Sequence, residues 1–254
     1  MMTEGHNRVA IVTGAGSGIG RVCSIGLAKA GFSLSLLGRN AGRLEETAAI
    51  IAGNGGNALV IPTDVTREDD VERAFLQTVD RFHRLDLLFN NAGTASPKAE
   101  FGDVEMRHFA RVLSTNVTGA FLCARAAFRL MSAQDPKGGR IINNGSVSAQ
   151  APRLNGAPYT ISKHAITGLT KQLSVDGRAH RIACGQIDIG NAATALSAAL
   201  ISGVPQADGS VVSEPVMPLE SVVDAVLFMA GLPLESNVQF MTIMATNMPL
   251  IGRG

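Results

Sequence analysis

The sequence has no tryptophan and one tyrosine, Tyr159. Its three cysteines, Cys23, Cys123 and Cys184, are far apart, odd in number and without a Cys-x-x-Cys pair. That excludes a disulfide framework and predicts buried, reduced thiols of the kind a cytoplasmic protein carries. The five histidines, His6, His83, His108, His164 and His180, fall at no metal-ligand spacing. No apolar run reaches membrane-spanning length. Residues Met1 to Arg8 lead into a strand-sized run, Val9 to Val12, and not into a signal-peptide core. Lysine and arginine number 22 against 21 acids, for a net charge of +1, and form no basic block. Neither nucleic acid nor an anionic membrane is therefore an expected partner. Linker-like stretches, internal repeats and low-complexity tracts are also missing.

What is present is a core-building alternation. With 254 residues, 46% of them hydrophobic, the chain suits one large α/β domain spanning 1–254. Strands are expected at Val9–Thr13, Ser33–Leu37, Ala58–Ile61, Leu85–Phe89, Arg140–Asn144, Arg181–Ile187 and Val238–Met244. Each reads as apolar on both faces, the pattern of buried parallel strands. Helical patterns fill the gaps: Ile19–Ala30, Ala41–Gly53, Glu68–Phe82, Met106–Ser132, Tyr159–Gly177 and Leu219–Ala230. This rhythm predicts a doubly wound sheet of about seven parallel strands with helices on both faces. Right-handed crossovers then bring all strand C-termini to one edge, where ligands bind.

The first strand runs into Thr13-Gly14-Ala15-Gly16-Ser17-Gly18-Ile19-Gly20. Glycines allow a tight turn and close approach of backbone to a pyrophosphate, and the following helix N-terminus offers free N–H groups. The strict G-x-G-x-x-G string is absent. An acid at the end of the second strand, roughly 24 residues past Gly14, would bind the ribose hydroxyls of NAD. The chain has Gly38 and then Arg39 there. A guanidinium suits a 2′-phosphate, so NADP(H) is expected in preference to NAD(H).

Tyr159 opens the run Tyr159-Thr160-Ile161-Ser162-Lys163. On a helix this spacing puts phenol and ammonium on one face. A phenol is a poor acid or base at neutral pH, and a cation beside it favours its ionised form. That is how a tyrosine becomes a proton-transfer group.

Taken in order, these pieces resemble the short-chain dehydrogenase/reductase family, from Val9 to about Met244. Thr13-Gly14-x3-Gly18-x-Gly20 is similar to the family's cofactor turn, and Asp64-Val65 to its adenine-contacting pair. Asn90-Asn91-Ala92-Gly93 looks like its structural and cofactor-binding Asn-Asn-Ala-Gly. Asn116 falls where the family has a catalytic asparagine, and Ser146 lies 13 residues before Tyr159, a usual separation. The resemblance implies a Rossmann-like single domain and a catalytic set of Asn116, Ser146, Tyr159 and Lys163. It implies cofactor contacts from Gly14, Gly16, Ser17, Gly18, Ile19, Gly20, Arg39, Asp64, Val65, Asn91, Ala92, Gly93, Tyr159 and Lys163. It further implies hydride transfer between nicotinamide and a small-molecule carbonyl or secondary alcohol, and a homodimer or homotetramer. Asn116 would hold a water that links Lys163 to solvent. Two other readings share the fold: a sugar-nucleotide epimerase or dehydratase, and a cofactor-binding regulator without turnover.

The chain departs from the family after its sixth strand. In Ile187-Asp188-Ile189-Gly190-Asn191-Ala192-Ala193-Thr194 an isoleucine stands where proline is usual. Ile189, Gly190 and Thr194 are still expected to face the nicotinamide, on a turn freed by loss of proline. Asp188 reads as a turn cap. The segment of about 190–216 corresponds to the substrate lid, and its small apolar residues suggest a moderately apolar substrate. The methionines near the C-terminus read as core or interface filling. The cofactor reading is testable: Arg39→Asp should weaken NADPH binding selectively over NADH, and equal NADPH affinity in both proteins would remove the assignment.

Overall fold

In a computed structural model of the chain, residues 8–194, 203–205 and 209–250 are described. Seven strands form one parallel sheet in the order β3-β2-β1-β4-β5-β6-β9. They are β1 (Val9–Thr13), β2 (Ser33–Gly38), β3 (Ala58–Pro62), β4 (Leu87–Asn90), β5 (Gly139–Asn144), β6 (Ile182–Ile189) and β9 (Phe240–Ile243). A two-residue antiparallel pair, β7 (Val204–Pro205) and β8 (Val211–Val212), stands apart. The helices are α1 (Gly18–Lys29), α2 (Ala41–Gly53), α3 (Glu68–Phe82), α4 (Met106–Leu113), α5 (Ala120–Ala133), α6 (Ala157–Asp176) and α7 (Leu219–Gly231). The strand order reverses between β1 and β4, the crevice position where doubly wound sheets bind ligands.

Side chains alternate across the sheet because successive strand residues point to opposite faces. Leu34, Leu36, Phe89, Ile142 and Ile187 pack on one side with Leu27 of α1 and Val222 and Val226 of α7. Ile11, Leu37, Leu88 and Ile141 pack on the other with Phe75 of α3 and Cys123 and Met131 of α5. The three cysteines are free and buried, and burial pushes each thiol up to about 12. They sit in the core, as expected. Met217, Met229 and Met248 are buried in the first core, and Met241 and Met244 pack against it. The methionines thus act as packing.

Three local expectations need correction. Strands β3 and β9 are not buried on both faces: they are the sheet's edges, and Phe240 remains exposed. The helix expected over Met106–Ser132 is interrupted by a π turn, Ser114–Gly119, between α4 and α5. Strand β6 runs two residues past its expected end, pairing Asp188 with Thr242 and Ile189 with Ile243. Isoleucine has the N–H and branched side chain of a strand residue, so the missing proline lengthens the strand instead of loosening a turn. Among the described residues no helix is long and apolar enough to cross a membrane, and no cluster of His, Cys, Asp or Glu could hold a metal ion.

Arg140 secures the edge of the sheet opposite the strand C-termini. It is 2% exposed, and burial pulls its pKa below the usual guanidinium value. Its Nη1 donates to Asn237 Oδ1, and its Nη2 faces the carbonyls of Leu232, Pro233 and Ser236 at 2.9–3.1 Å. It thereby satisfies carbonyls beyond the C-terminus of α7, where a cation is also favoured by the helix dipole. Arg140→Ala should strand these acceptors at a cost of about 3 kcal/mol. Thermal denaturation should then show a Tm lower by roughly 6–12 °C.

Candidate active site

The site is built at the C-terminal edge of β1, β4, β5 and β6. In the glycine turn, Gly14 and Gly18 have φ of 69° and 50°, the left-handed region that glycine enters without strain. A Cβ on Gly20 would lie 2.2 Å from Gly14 O and 2.7 Å from Asn91 Nδ2, so the first turn of α1 closes only on glycine. Ser17 precedes α1, exposed and making no capping bond. Ile19 is half-buried beside it. The result is a concave backbone cradle opening on a helix N-terminus, which fits a dinucleotide pyrophosphate.

Arg39 follows β2 on the exposed surface and makes no ion pair or hydrogen bond among the described residues. Arg43, one turn into α2, lies beside the same cradle: a Cβ on Gly16 would stand 3.1 Å from Arg43 Cβ. The sequence reading did not name Arg43; its position four residues after Arg39 was the available signal. Asp64 is half-buried after β3, and its Oδ1 accepts from the N–H and hydroxyl of Thr66. Val65 is buried against Gly119.

Asn91 locks the crevice. Its Nδ2 donates to Thr13 O at 2.8 Å, and its Oδ1 accepts from Asn144 Nδ2 at 2.8 Å. Thr13 Oγ1 in turn accepts from the N–H groups of Asn91 and Ala92. Asn91 therefore ties β1, β4 and β5 together, and its side chain serves the scaffold. Gly93 follows at the mouth of the crevice, where a Cβ would stand 3.4 Å from Asn116 Oδ1.

The chemical groups come from β5, α6 and the π turn. Lys163 is 6% exposed, and its Nζ donates to Asn144 O at 2.8 Å. The same Nζ lies 5.5 Å from the centre of the Tyr159 ring, as expected for one helix face. Tyr159 is half-buried, and no described group bonds its hydroxyl. Ser146 is 5% exposed, and its Oγ accepts from Ser148 N at 3.1 Å. Asn116 is 2% exposed within the π turn. Its Nδ2 donates to Thr94 O and Ser162 Oγ, and its Oδ1 accepts from Thr94 N. Ser162 Oγ donates to Tyr159 O, so Asn116 is coupled to the helix that carries the phenol. Both amide protons of Asn116 are thus engaged by protein.

Beyond β6, Gly190 N donates to Ile243 O, and a Cβ on Gly190 would meet Met244 Cβ at 2.7 Å. Ile189 is buried. Thr194 reaches across to the glycine turn: a Cβ on Gly18 would lie 3.6 Å from Thr194 Cγ2. Of the segment expected to form a lid, 195–202 and 206–208 lie outside the described residues. Asp188 is a buried strand residue and caps no turn in its own segment; its carboxylate accepts from Ser146 N on the turn after β5. Asn144 and Ser162 were given no role by the sequence reading; neither has a spacing signal for its contact with Asn91 or Asn116, 53 and 46 positions away.

A glycine cradle at a strand-order reversal, flanked by serine, tyrosine and lysine, defines a nucleotide-dependent oxidoreductase site. Comparison with known proteins agrees. The sequence profile described as short chain dehydrogenase matches residues 8–204. The chain is 35% identical over 195 residues to the short chain dehydrogenase/reductase astE of Aspergillus oryzae, covering 76% of this chain and 74% of that one. It is 33% identical over 227 residues to cis-4-hydroxycyclohexanecarboxylate dehydrogenase of Sinomonas cyclohexanicum, covering 88% and 89%. Among solved structures, NAD+-bound xylitol dehydrogenase superposes with a TM-score of 0.86 at 29% identity, covering 95% of this chain and 99% of that one. The chain belongs to the short-chain dehydrogenase/reductase family, oxidoreductases of alcohol and carbonyl groups that use a nicotinamide dinucleotide.

The cradle yields a direct test. Overpacking costs about 1–3 kcal/mol, so Gly20→Ala should weaken dinucleotide binding roughly tenfold or more, as read by calorimetric titration of the folded variant.

Proposed function

We propose that the protein is an NADP(H)-dependent carbonyl reductase or alcohol dehydrogenase with Tyr159 as its general acid and base. The observation that carries this reading is the joint placement of Lys163: its ammonium bonds Asn144 O on β5 and lies over the ring of Tyr159. When bound, the nicotinamide supplies or accepts the hydride. Gly14, Gly16, Ser17, Gly18, Ile19 and Gly20 would hold the pyrophosphate, with Asp64 and Val65 at the adenine. Ala92, Gly93, Ile189, Gly190 and Thr194 would line the nicotinamide side, and Asn91 would hold the crevice open beneath it.

In the reductive direction the Ser146 hydroxyl donates to the carbonyl oxygen as negative charge develops there. Tyr159 delivers its proton to that oxygen, and in oxidation takes it back. The ammonium of Lys163 stabilises the phenolate left behind, and it is also in reach of the cofactor ribose in this reading. With the side chain of Asn116 spent on Thr94 and Ser162, its main-chain carbonyl becomes the group that would hold a connecting water. Main-chain geometry of this kind recurs at π turns in functional sites.

Preference for NADP(H) over NAD(H) is supported by Arg39, unpaired among the described residues, and by Arg43 beside Gly16. A guanidinium near the end of β2 suits a 2′-phosphate, and the chain has Gly38 and Arg39 there instead of the acid that would bind a free 2′-hydroxyl. Assembly into a homodimer or homotetramer is supported by the surface of α5 and α6. There Phe121 is 50% exposed beside Phe128, Leu169 and Leu173, an apolar strip flanked by Arg125, Arg129 and Asp176 that a second copy would cover.

Tyr159→Phe tests the mechanism because it removes one hydroxyl and no packing volume. It should lower kcat/KM for a reducible ketone by about 10²–10⁴-fold, with NADPH still bound. Oxidation of NADPH is followed by its absorbance, and a variant that keeps wild-type turnover would end the assignment.

A further inference from the structure

We propose that Asp188 is the positioning residue for Ser146, fixing the serine so that its hydroxyl acts as a donor to substrate; this rests on the catalytic reading above. Asp188 lies near the end of β6 and is 3% exposed. It shares a strand face with Gln186, two residues earlier, toward α6. Three N–H groups converge on its carboxylate. The main-chain N–H of Ser146 and Gln186 Nε2 donate to Oδ1 at 3.0 and 2.7 Å, and Gln150 Nε2 donates to Oδ2 at 2.9 Å. A carboxylate only accepts, so it matches three donors. An asparagine in its place would turn an N–H of its own toward one of them.

The partners are themselves held. Gln186 Nε2 also donates to Thr167 Oγ1, and Thr170 Oγ1 bonds Gln186 Oε1, both threonines belonging to α6. Gln150 Nε2 also reaches Thr242 Oγ1 on β9. Space is used as tightly as polarity: a Cβ on Gly145 would lie 2.0 Å from Asp188 Oδ1 and 2.7 Å from Gln186 Nε2. The carboxylate therefore sits directly over the Cα of the residue before the serine.

Ser146 is constrained from two sides as a result. Asn144 O is held by Lys163 and Ser146 N by Asp188, so the turn 144–146 is fixed at both ends by ionisable groups on different elements. Since Asp188 uses the Ser146 N–H, that group cannot also bind a substrate oxygen. Since Ser146 Oγ accepts from Ser148 N, and no described residue accepts the hydroxyl proton, this proton is left for the ligand. Removing the negative charge of Asp188 would by itself favour an oxygen that gains negative charge. A loss of activity on neutralising Asp188 would therefore report geometry and not field.

The test compares wild type, Asp188→Asn, Ser146→Ala and the double variant, using NADPH and a reducible ketone. In parallel, amide exchange of the peptide containing Ser146 is measured in the cofactor-free proteins. Asp188→Asn should lower kcat roughly 10–100-fold, leave NADPH affinity unchanged and speed exchange at the Ser146 amide. In the Ser146→Ala background it should cost no more than about twofold further, because both residues act through one hydroxyl. An equal loss in both backgrounds, or unchanged exchange at Ser146, overturns the proposal. Full activity in Ser146→Ala would instead overturn the catalytic reading, while exchange would still judge the Asp188 bond. Should Asp188→Asn not fold, the exposed Gln150→Leu serves: it frees Oδ2 and should give a weaker loss with the same dependence on Ser146. A loss that is independent of Ser146, or no loss, refutes the proposal there too.

Discussion

Lys163 brings an ammonium to a position where only 6% of the residue is exposed, and the bond from its Nζ to Asn144 O is what makes that position tenable. Leaving a charged donor buried without a partner costs several kcal/mol, whereas a charge-assisted bond recovers about 1.5–3 kcal/mol. The end of β5 must therefore stand where α6 can reach it. Asn144 transmits that demand, because its side chain donates to Asn91, which is bound to Thr13 at the end of β1. The charge on one helix and the steric closure of the glycine turn thus meet through two asparagines, and the cofactor cradle and the proton-transfer group are built against each other.

The π turn between α4 and α5 does a related job from the other side. An added residue in a helix leaves side chains before and after it on altered faces. Here it lets Asn116 point at Thr94 and Ser162 while α5 still packs Leu122, Cys123 and Met131 into the core. Gly119 ends the turn, where a Cβ would approach Val65 Cγ2 to 2.7 Å. The wall that carries Asp64 and Val65 is thereby seated on the helix that carries Asn116.

Much of this was legible in the sequence, for physical reasons. The five inner strands were readable because buried parallel strands need apolar runs, and two helices, Ala41–Gly53 and Glu68–Phe82, had the expected bounds. Tyr159 and Lys163 were readable because helical spacing alone puts them on one face. The glycine turn was readable because its residues answer a local steric need. Asn144 escaped notice because it holds Lys163 with a main-chain carbonyl, which every residue possesses. Asp188 was misjudged because its partners are 38 and 42 positions away as well as two. The π turn was hidden because the polar run Ser114 to Gly119 carries no proline or other local signal that distinguishes a π turn from an α-helix. Local chemistry is written in short windows, and contacts made after the chain has folded are not.

The carboxylate over Gly145 has a consequence for how this chain can diverge. Since a Cβ at 145 claims the space of the carboxylate at 188 and crowds Gln186 as well, a side chain at position 145 is accessible only to a lineage in which the acid at 188 has first been given up and Gln186 has shifted. The reverse order passes through a clash beside Ser146. The two positions are 43 residues apart and joined by no repeat or motif, yet their history is directional. A lineage that keeps Asp188 keeps glycine next to its serine, and descendants that differ there carry a record of which change came first.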